Sequence, residues 1–332
     1  KLVPEKHIEC IGAGVTRVNM GEFFFHPEAL EILEYIRDEE FSVYSVCTNG
    51  SLITENMIKV IKEIDNNSIK RGLPSSYQLA TDIKNEAQAD NYGGIDLHLT
   101  NYSQKMKRVL ENLEKYEVPY VIVLIADRHE IDVGRIERWV KELQNHNPLF
   151  IRMELASWTK YASQEVIDKM AMSRAELNYL VETWREKYPK HEIKFWMGED
   201  VSANITLSLN WFMLNYQNYT KKENPNTLFL CSEAVKNVFE PTINIFQQRG
   251  YKFIDNYKVV SVKNETFGGN VECAGLLLVD DYISAIEKTL TDDYKPDMFV
   301  TSINSFEYDG VDLGLTPAKA ISSKFTASIM YC

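Results

Sequence analysis

The chain has 332 residues, 45% hydrophobic and 25% charged, which is the composition of a globular protein long enough for one large domain and a smaller one, since a single core stops growing near roughly 250 to 300 residues. Its net charge of −12 and the lack of any basic cluster disfavour a polyanionic partner such as nucleic acid. Five cysteines, at 10, 47, 231, 273 and 332, are an odd and scattered set, unlike a disulfide framework or a local metal motif. The strongest apolar runs, Tyr120 to Ala126 and Ala274 to Val279, fall far short of the ~20 residues that cross a bilayer, and KLVPEKHIEC does not read as a signal peptide, so the expected location is cytoplasmic.

Up to about residue 157 the sequence alternates strand and helix without a short hairpin signal, the pattern of parallel βα units. The predicted strands are Val15 to Met20, Ser42 to Cys47, Tyr77 to Ile83, Tyr120 to Ala126 and Phe150 to Leu155, with Ile95 to Leu99 as a competing or additional strand. Pro27 suits a first helical turn, and Ala29, Ile32, Leu33 and Ile36 then form an apolar stripe. Asp132 is placed to cap a helix whose Ile136, Trp139, Val140 and Leu143 share one face, and Ser173 with Glu176 forms a capping-box pattern ahead of Leu177, Leu180, Val181 and Trp184. Asn85 to Gly94 reads as an irregular crossover and Asn215 to Asn226 as a linker.

Beyond that linker come a strand at Thr227 to Glu233, a helix from about Ala234 to Arg249 that Pro241 kinks, a strand at Lys258 to Lys263, the segment NETFGGNVECAGLLLVDD, and a helix near Tyr282 to Leu290. The division expected is 1-214 and 227-332: an α/β fold, a partial (β/α)6 TIM-like barrel, followed by a smaller C-terminal α+β domain. Gly268-Gly269 is suited to a positive-φ turn or to a close backbone approach, and Gly275 to an open helix start.

In a βα barrel the chemistry sits at the carboxyl ends of the strands. Period-two alternation puts Gln78, Ala80 and Asp82 on one face of their strand and Arg152 with Glu154 on one face of theirs, which suggests a polar interior. Thr48, Asn49 and Gly50 follow a strand, as ordinary turn chemistry or as ligand contacts; Asp127 and Arg128 follow another, and Arg128 is suited either to a carboxylate ligand or to a surface ion pair.

Gly21-Glu22, His26-Pro27-Glu28 and Thr48-Asn49-Gly50, in that cadence between Val15 and Met57, resemble the radical S-adenosylmethionine (radical SAM) superfamily. There, a strand ends in a GGEP-like turn, a His-Pro-Asp-like segment opens the next helix, and the next strand ends near Thr-Asn-Gly. Independently, Asn264, Phe267, Gly268, Val271, Gly275, Leu276 and Leu277, followed by Asp280 or Asp281, resemble an uncharacterised domain that follows radical SAM-like cores. The resemblance implies reductive cleavage of S-adenosylmethionine at a 4Fe-4S cluster, an electron donor such as flavodoxin or ferredoxin, and an unidentified small-molecule, peptide or protein substrate. Carried over by position, the cofactor-binding residues are Met20, Gly21 and Glu22, which would meet the methionine amino group, and then Thr48, Asn49, Asp82, Arg128, Arg152 and Glu154 at later strand ends. Met20 stands where the pattern has its first Gly, Phe23 where it has Pro, and Ala80 where it has Ser.

The CxxxCxxC motif that binds the cluster is absent from these residues. Counting Val15 to Met20 as the family's second strand makes Lys1 to Ile11 a short leader, and cluster ligands are then expected upstream of Lys1. Two other functions compete. One is a non-catalytic radical SAM-like scaffold or partner-binding protein. The other is a metal-dependent hydrolase or lyase on a TIM-like barrel using His26, Asp82, His98, His129 and Glu154, although no HxH or HExxH motif ties these together.

Overall fold

The computed structural model describes residues 6–12, 22–48, 50–71, 78–82, 102–195, 199–223, 225–250, 256–302, 305–306, 310–325 and 327–331. The chain divides into two compact units, one of 1–14, 19–156 and 165–195 and the other of 15–18, 157–164 and 196–332.

Six strands build the first unit: β1 (His7–Gly12), β2 (Ser42–Thr48), β3 (Gln78–Asp82), β4 (Tyr120–Ala126), β5 (Ile151–Leu155) and β6 (Ile193–Phe195). They form one sheet in the order of the sequence, and every pairing is parallel. Parallel neighbours require a crossover each time, and right-handed crossovers that never reverse direction put all the helices on one face. These helices are α1 (Ala29–Asp38), α2 (Glu55–Lys70), α3 (Tyr102–Lys115), α4 (Arg128–Asp132), α5 (Arg135–Leu143), α6 (Gln164–Met170) and α7 (Arg174–Lys187). A single apolar cluster confirms the arrangement: Leu33, Ile58, Ile61, Leu110, Val140 and Val181 pack with Ile122, Leu124, Ile151 and Met153 of the sheet. The other face carries Arg152 and Glu154.

Several expectations change. A strand lies at β1, inside the stretch read as a leader, because Ile8 and Ile11 pair with Val43 and Val46 of β2. The predicted strands Val15 to Met20 and Ile95 to Leu99, and the crossover Asn85 to Gly94, lie outside the described residues. No closed barrel is seen among the described residues; the sheet has two edges, β1 and β6. Asp132 ends α4 instead of capping α5, whose N-cap is Gly134 at φ +67°, while Asp127 caps α4 by accepting from the Glu130 amide. The Ser173–Glu176 capping box is present as expected.

In the second unit α8 (Glu199–Asn215) precedes β7 (Thr227–Ser232), α9 (Lys236–Gln248), β8 (Tyr257–Val262), α10 (Val279–Thr289), β9 (Met298–Thr301), α11 (Lys319–Phe325) and β10 (Ser328–Tyr331). The expected α+β module is instead α/β: the sheet order is β10-β9-β7-β8, all parallel. Here the order reverses at β7, so helices cover both faces. Ile205, Leu209, Phe212 and Ile243 pack with Phe229 and Met298 on one face, and Tyr282, Ile286 and Ile321 with Leu228 and Phe299 on the other. The expected linker is tied down, with Asp297 accepting from Lys222 Nζ at 2.6 Å and from the Asn226 amide at 3.0 Å.

The Asn264–Asp281 segment is organised by two side chains. Asn264 Oδ1 accepts from the Phe267 amide at 2.8 Å, and its Nδ2 donates to Leu276 O at 2.9 Å. Asp281 is 2% exposed, and its carboxylate accepts from the amides of Glu265 (3.0 Å), Thr266 (3.1 Å) and Leu278 (2.9 Å) and from the Thr266 hydroxyl (3.1 Å). A buried carboxylate is tolerated here because polar donors surround it. Asp280 is exposed and takes no part. Replacing Asp281 by Ala leaves three part-buried amides without their acceptor, so we expect a loss of about 2 kcal/mol, against less than about 0.5 kcal/mol for Asp280→Ala. Urea unfolding of the two variants, followed through the tryptophans of the second unit, checks this contrast.

Candidate functional site

Where strands of one parallel sheet all run the same way, their carboxyl ends collect turns from distant parts of the chain at one edge. In the first unit the turns after β1 and β2 are joined there. Glu22 opens the short 3-10 turn Phe23–Phe25 and accepts from the Phe24 amide at 3.3 Å. Its same oxygen, Oε1, accepts from the Thr48 hydroxyl at 2.6 Å. Thr48 Oγ1 in turn accepts from the Gly50 amide at 3.0 Å. Gly50 sits at φ +75°, a conformation that Gly adopts without a Cβ clash. Thr48 is 6% exposed and Glu22 half-buried, so the relay runs from a buried hydroxyl to a partly exposed carboxylate. The next turn leads into α2, capped by Thr54, which accepts from the Met57 amide.

Further along the sheet, Asp82 pairs with Val123 in the β3/β4 ladder, and Arg152 pairs with Lys194 in β5/β6. Arg152 Nη2 lies 2.7 Å from Glu154 Oε1, both side chains about a quarter exposed on the face opposite the helices. The carboxyl edge thus presents a carboxylate–hydroxyl pair at one position and a guanidinium–carboxylate pair at another.

Arg128 makes different contacts. Its Nη2 donates to Glu176 Oε1 at 2.7 Å and its Nε to Ala171 O at 3.3 Å, tying the end of β4 to the start of α7. The Arg128 guanidinium, with the Ser173 amide and hydroxyl, pulls the Glu176 carboxyl down to about 2 from 4.5. His26 uses Nδ1 to accept from the Glu28 amide, and His129 lies 3.0 Å from Arg135, so neither is gathered with Glu154. Met20, Gly21, Asn49 and His98 lie outside the described residues.

Among the described residues no group of three or more His, Cys, Asp or Glu is placed to hold a metal ion. Cys231 is buried, and burial pushes its thiol up to about 12, against the thiolate form that a metal ligand needs. Cys231 therefore does not suit a cluster thiolate, and the cysteine spacing in the sequence has no CxxxCxxC run. The sequence singled out Glu22 and Thr48 one by one. Their bond is what sequence reasoning missed, since it depends on β1 and β2 being neighbours.

No family model matches the chain, and no curated protein is similar to it. Solved structures overlap it in part. Native anSMEcpe with bound AdoMet and a Kp18Cys peptide matches at 15% identity over 62% of this chain and 53% of that one, with a TM-score of 0.36. Native anSMEcpe with bound AdoMet matches at 15% identity over the same shares, with a TM-score of 0.37. A polyhistidine-tagged anSMEcpe with bound AdoMet matches at 16% identity over 57% of this chain and 50% of that one, with a TM-score of 0.35. The chain therefore spans about half the length of these structures. No described helix is long and apolar enough to cross a membrane.

The Arg128–Glu176 pair has a pH signature. A folded-state pKa below the unfolded one adds stability that is present above pH 4.5 and lost as pH falls toward about 2. We expect Arg128→Gln to lower the urea midpoint at neutral pH by a small amount, and the difference from the parent chain to close across that window. Paired urea titrations at pH 6 and at low pH measure it.

Proposed function

We propose that the first unit is a radical SAM scaffold, a partial (β/α)6 barrel that binds S-adenosylmethionine at the carboxyl edge of its sheet. The observation that carries this reading is the Thr48–Glu22 hydrogen bond of 2.6 Å, which joins the two turns whose residues resemble the superfamily. In this reading Met20, Gly21 and Glu22 form the turn that receives the methionine amino group through backbone carbonyls. Thr48 holds that turn to the next strand end, and Asn49 and Asp82 border the adenosine side. Arg152, balanced by Glu154, is suited to the methionine carboxylate, and Arg128 to stabilising the turn after β4.

When bound, S-adenosylmethionine with a reduced 4Fe-4S cluster supplies an organic radical, and the thiolates for that cluster are not among these residues. What this chain contributes is binding and orientation: acceptors for a cation, a guanidinium for a carboxylate, and a hydroxyl that links two turns. A small-molecule, peptide or protein substrate suits the acidic chain. The lack of cluster ligands favours one alternative, a non-catalytic scaffold that binds a partner.

The deciding experiment is anaerobic iron and sulfide analysis of the natural protein that contains these residues, followed by reduction with S-adenosylmethionine present. The proposal expects roughly four iron and four sulfide per cluster and release of methionine. Thr48→Val should weaken S-adenosylmethionine binding about tenfold, and Thr48→Ser should restore it. Absence of both iron and S-adenosylmethionine binding overturns the reading in favour of the non-catalytic scaffold.

A further inference from the structure

The chain that leaves β5 joins the second unit at once: Ser157–Gln164 folds there before the chain returns at α6. Within that unit the segment lies against the Asn264–Asn270 loop. The Trp158 amide donates to Asn270 Oδ1 at 2.7 Å, and the Asn270 amide donates back to Trp158 O at 3.1 Å. The Lys160 amide donates to Phe267 O at 2.7 Å, and Lys160 Nζ to Glu265 O at 2.8 Å.

The two glycines of the loop are required twice over. Gly268 and Gly269 have φ of +63° and +66°, and a Cβ on Gly269 would stand 2.0 Å from Trp158 O, while one on Gly268 would stand 2.9 Å from Lys160 Cβ. Backbone oxygen cannot yield by that much, so any side chain at 269 displaces the segment. Asn264 and Asp281, for their part, make the loop rigid from behind. One half of the motif therefore builds the loop, and the other half receives the segment.

We propose that the Asn264–Asp281 motif is a receptor for the chain's own Ser157–Lys160 segment, which it holds in one conformation within the second unit. The partner is a backbone stretch recognised by reciprocal amide bonds and by the space that two absent side chains leave. Neither a cluster nor S-adenosylmethionine enters this inference, so it and the proposed chemistry fail or stand separately.

Hydrogen exchange of the full chain, read by mass spectrometry, tests it. Asn270→Ala should speed exchange of peptides spanning 156–162 by about tenfold, as expected for an amide that loses a part-buried acceptor, while β7 and β9 keep their protection. Lys288→Ala, which breaks only the exposed pair with Glu265 behind the loop, should leave 156–162 unchanged. Should Asn270→Ala release β7 as well, Lys160→Pro, which removes one amide of an exposed segment, must by itself raise exchange at 264–272. Unchanged exchange at 156–162 in Asn270→Ala, or at 264–272 in Lys160→Pro where that arm is needed, overturns the proposal, as does a parent chain already unprotected at both.

Discussion

Everything in this protein follows from strands that all run the same way. A parallel strand is re-entered only by a crossover, so each of the ten described strands brings a helix or a long connection with it, and every strand of a sheet leaves its carboxyl end at the same edge. In the first unit the strand order never reverses, and the helices gather on one face. Arg152 and Glu154 are thereby left on the other face, and the turns after β1 and β2 become neighbours. In the second unit the order reverses at β7, and the sheet is covered on both sides.

The same constraint separates the two kinds of buried polar group. Thr48 and Glu22 occupy the carboxyl edge, where a hydroxyl links two turns. Asp281 and Asp312 are buried carboxylates of another sort: both oxygens of each accept from backbone amides, those of Asp312 from Val279 at 2.6 Å and Thr316 at 2.8 Å. A carboxylate engaged on both oxygens by the main chain holds a loop in shape. That contrast is why the functional reading rests on the first unit and the architectural one on the second.

Much of the skeleton is legible in the sequence because its signals are local. The run Tyr120 to Ala126 is bounded as β4, and the Ser173–Glu176 box caps α7, since apolar runs and capping spacing act over a few residues. Short strands escape: β6 has three residues and β10 four, too few for a period to register. In the sequence β1 reads as a leader because its HIECIG pattern gains meaning only beside β2. Arg128 is equally compatible there with a ligand and with an ion pair, and the choice of Glu176 depends on where α7 lies.

By itself, then, the sequence determined the parallel βα alternation of the first part and the residue types at the strand ends, because each follows from local backbone and side-chain chemistry. Only the tertiary structure decided that Thr48 bonds Glu22 across 26 positions, that Asp281 and not Asp280 organises its loop, and that the loop closes on a segment 112 residues away, from Trp158 to Asn270. The first and last are contacts between elements distant along the chain, while the choice of Asp281 depends on how its loop folds back on itself, which local propensity does not fix.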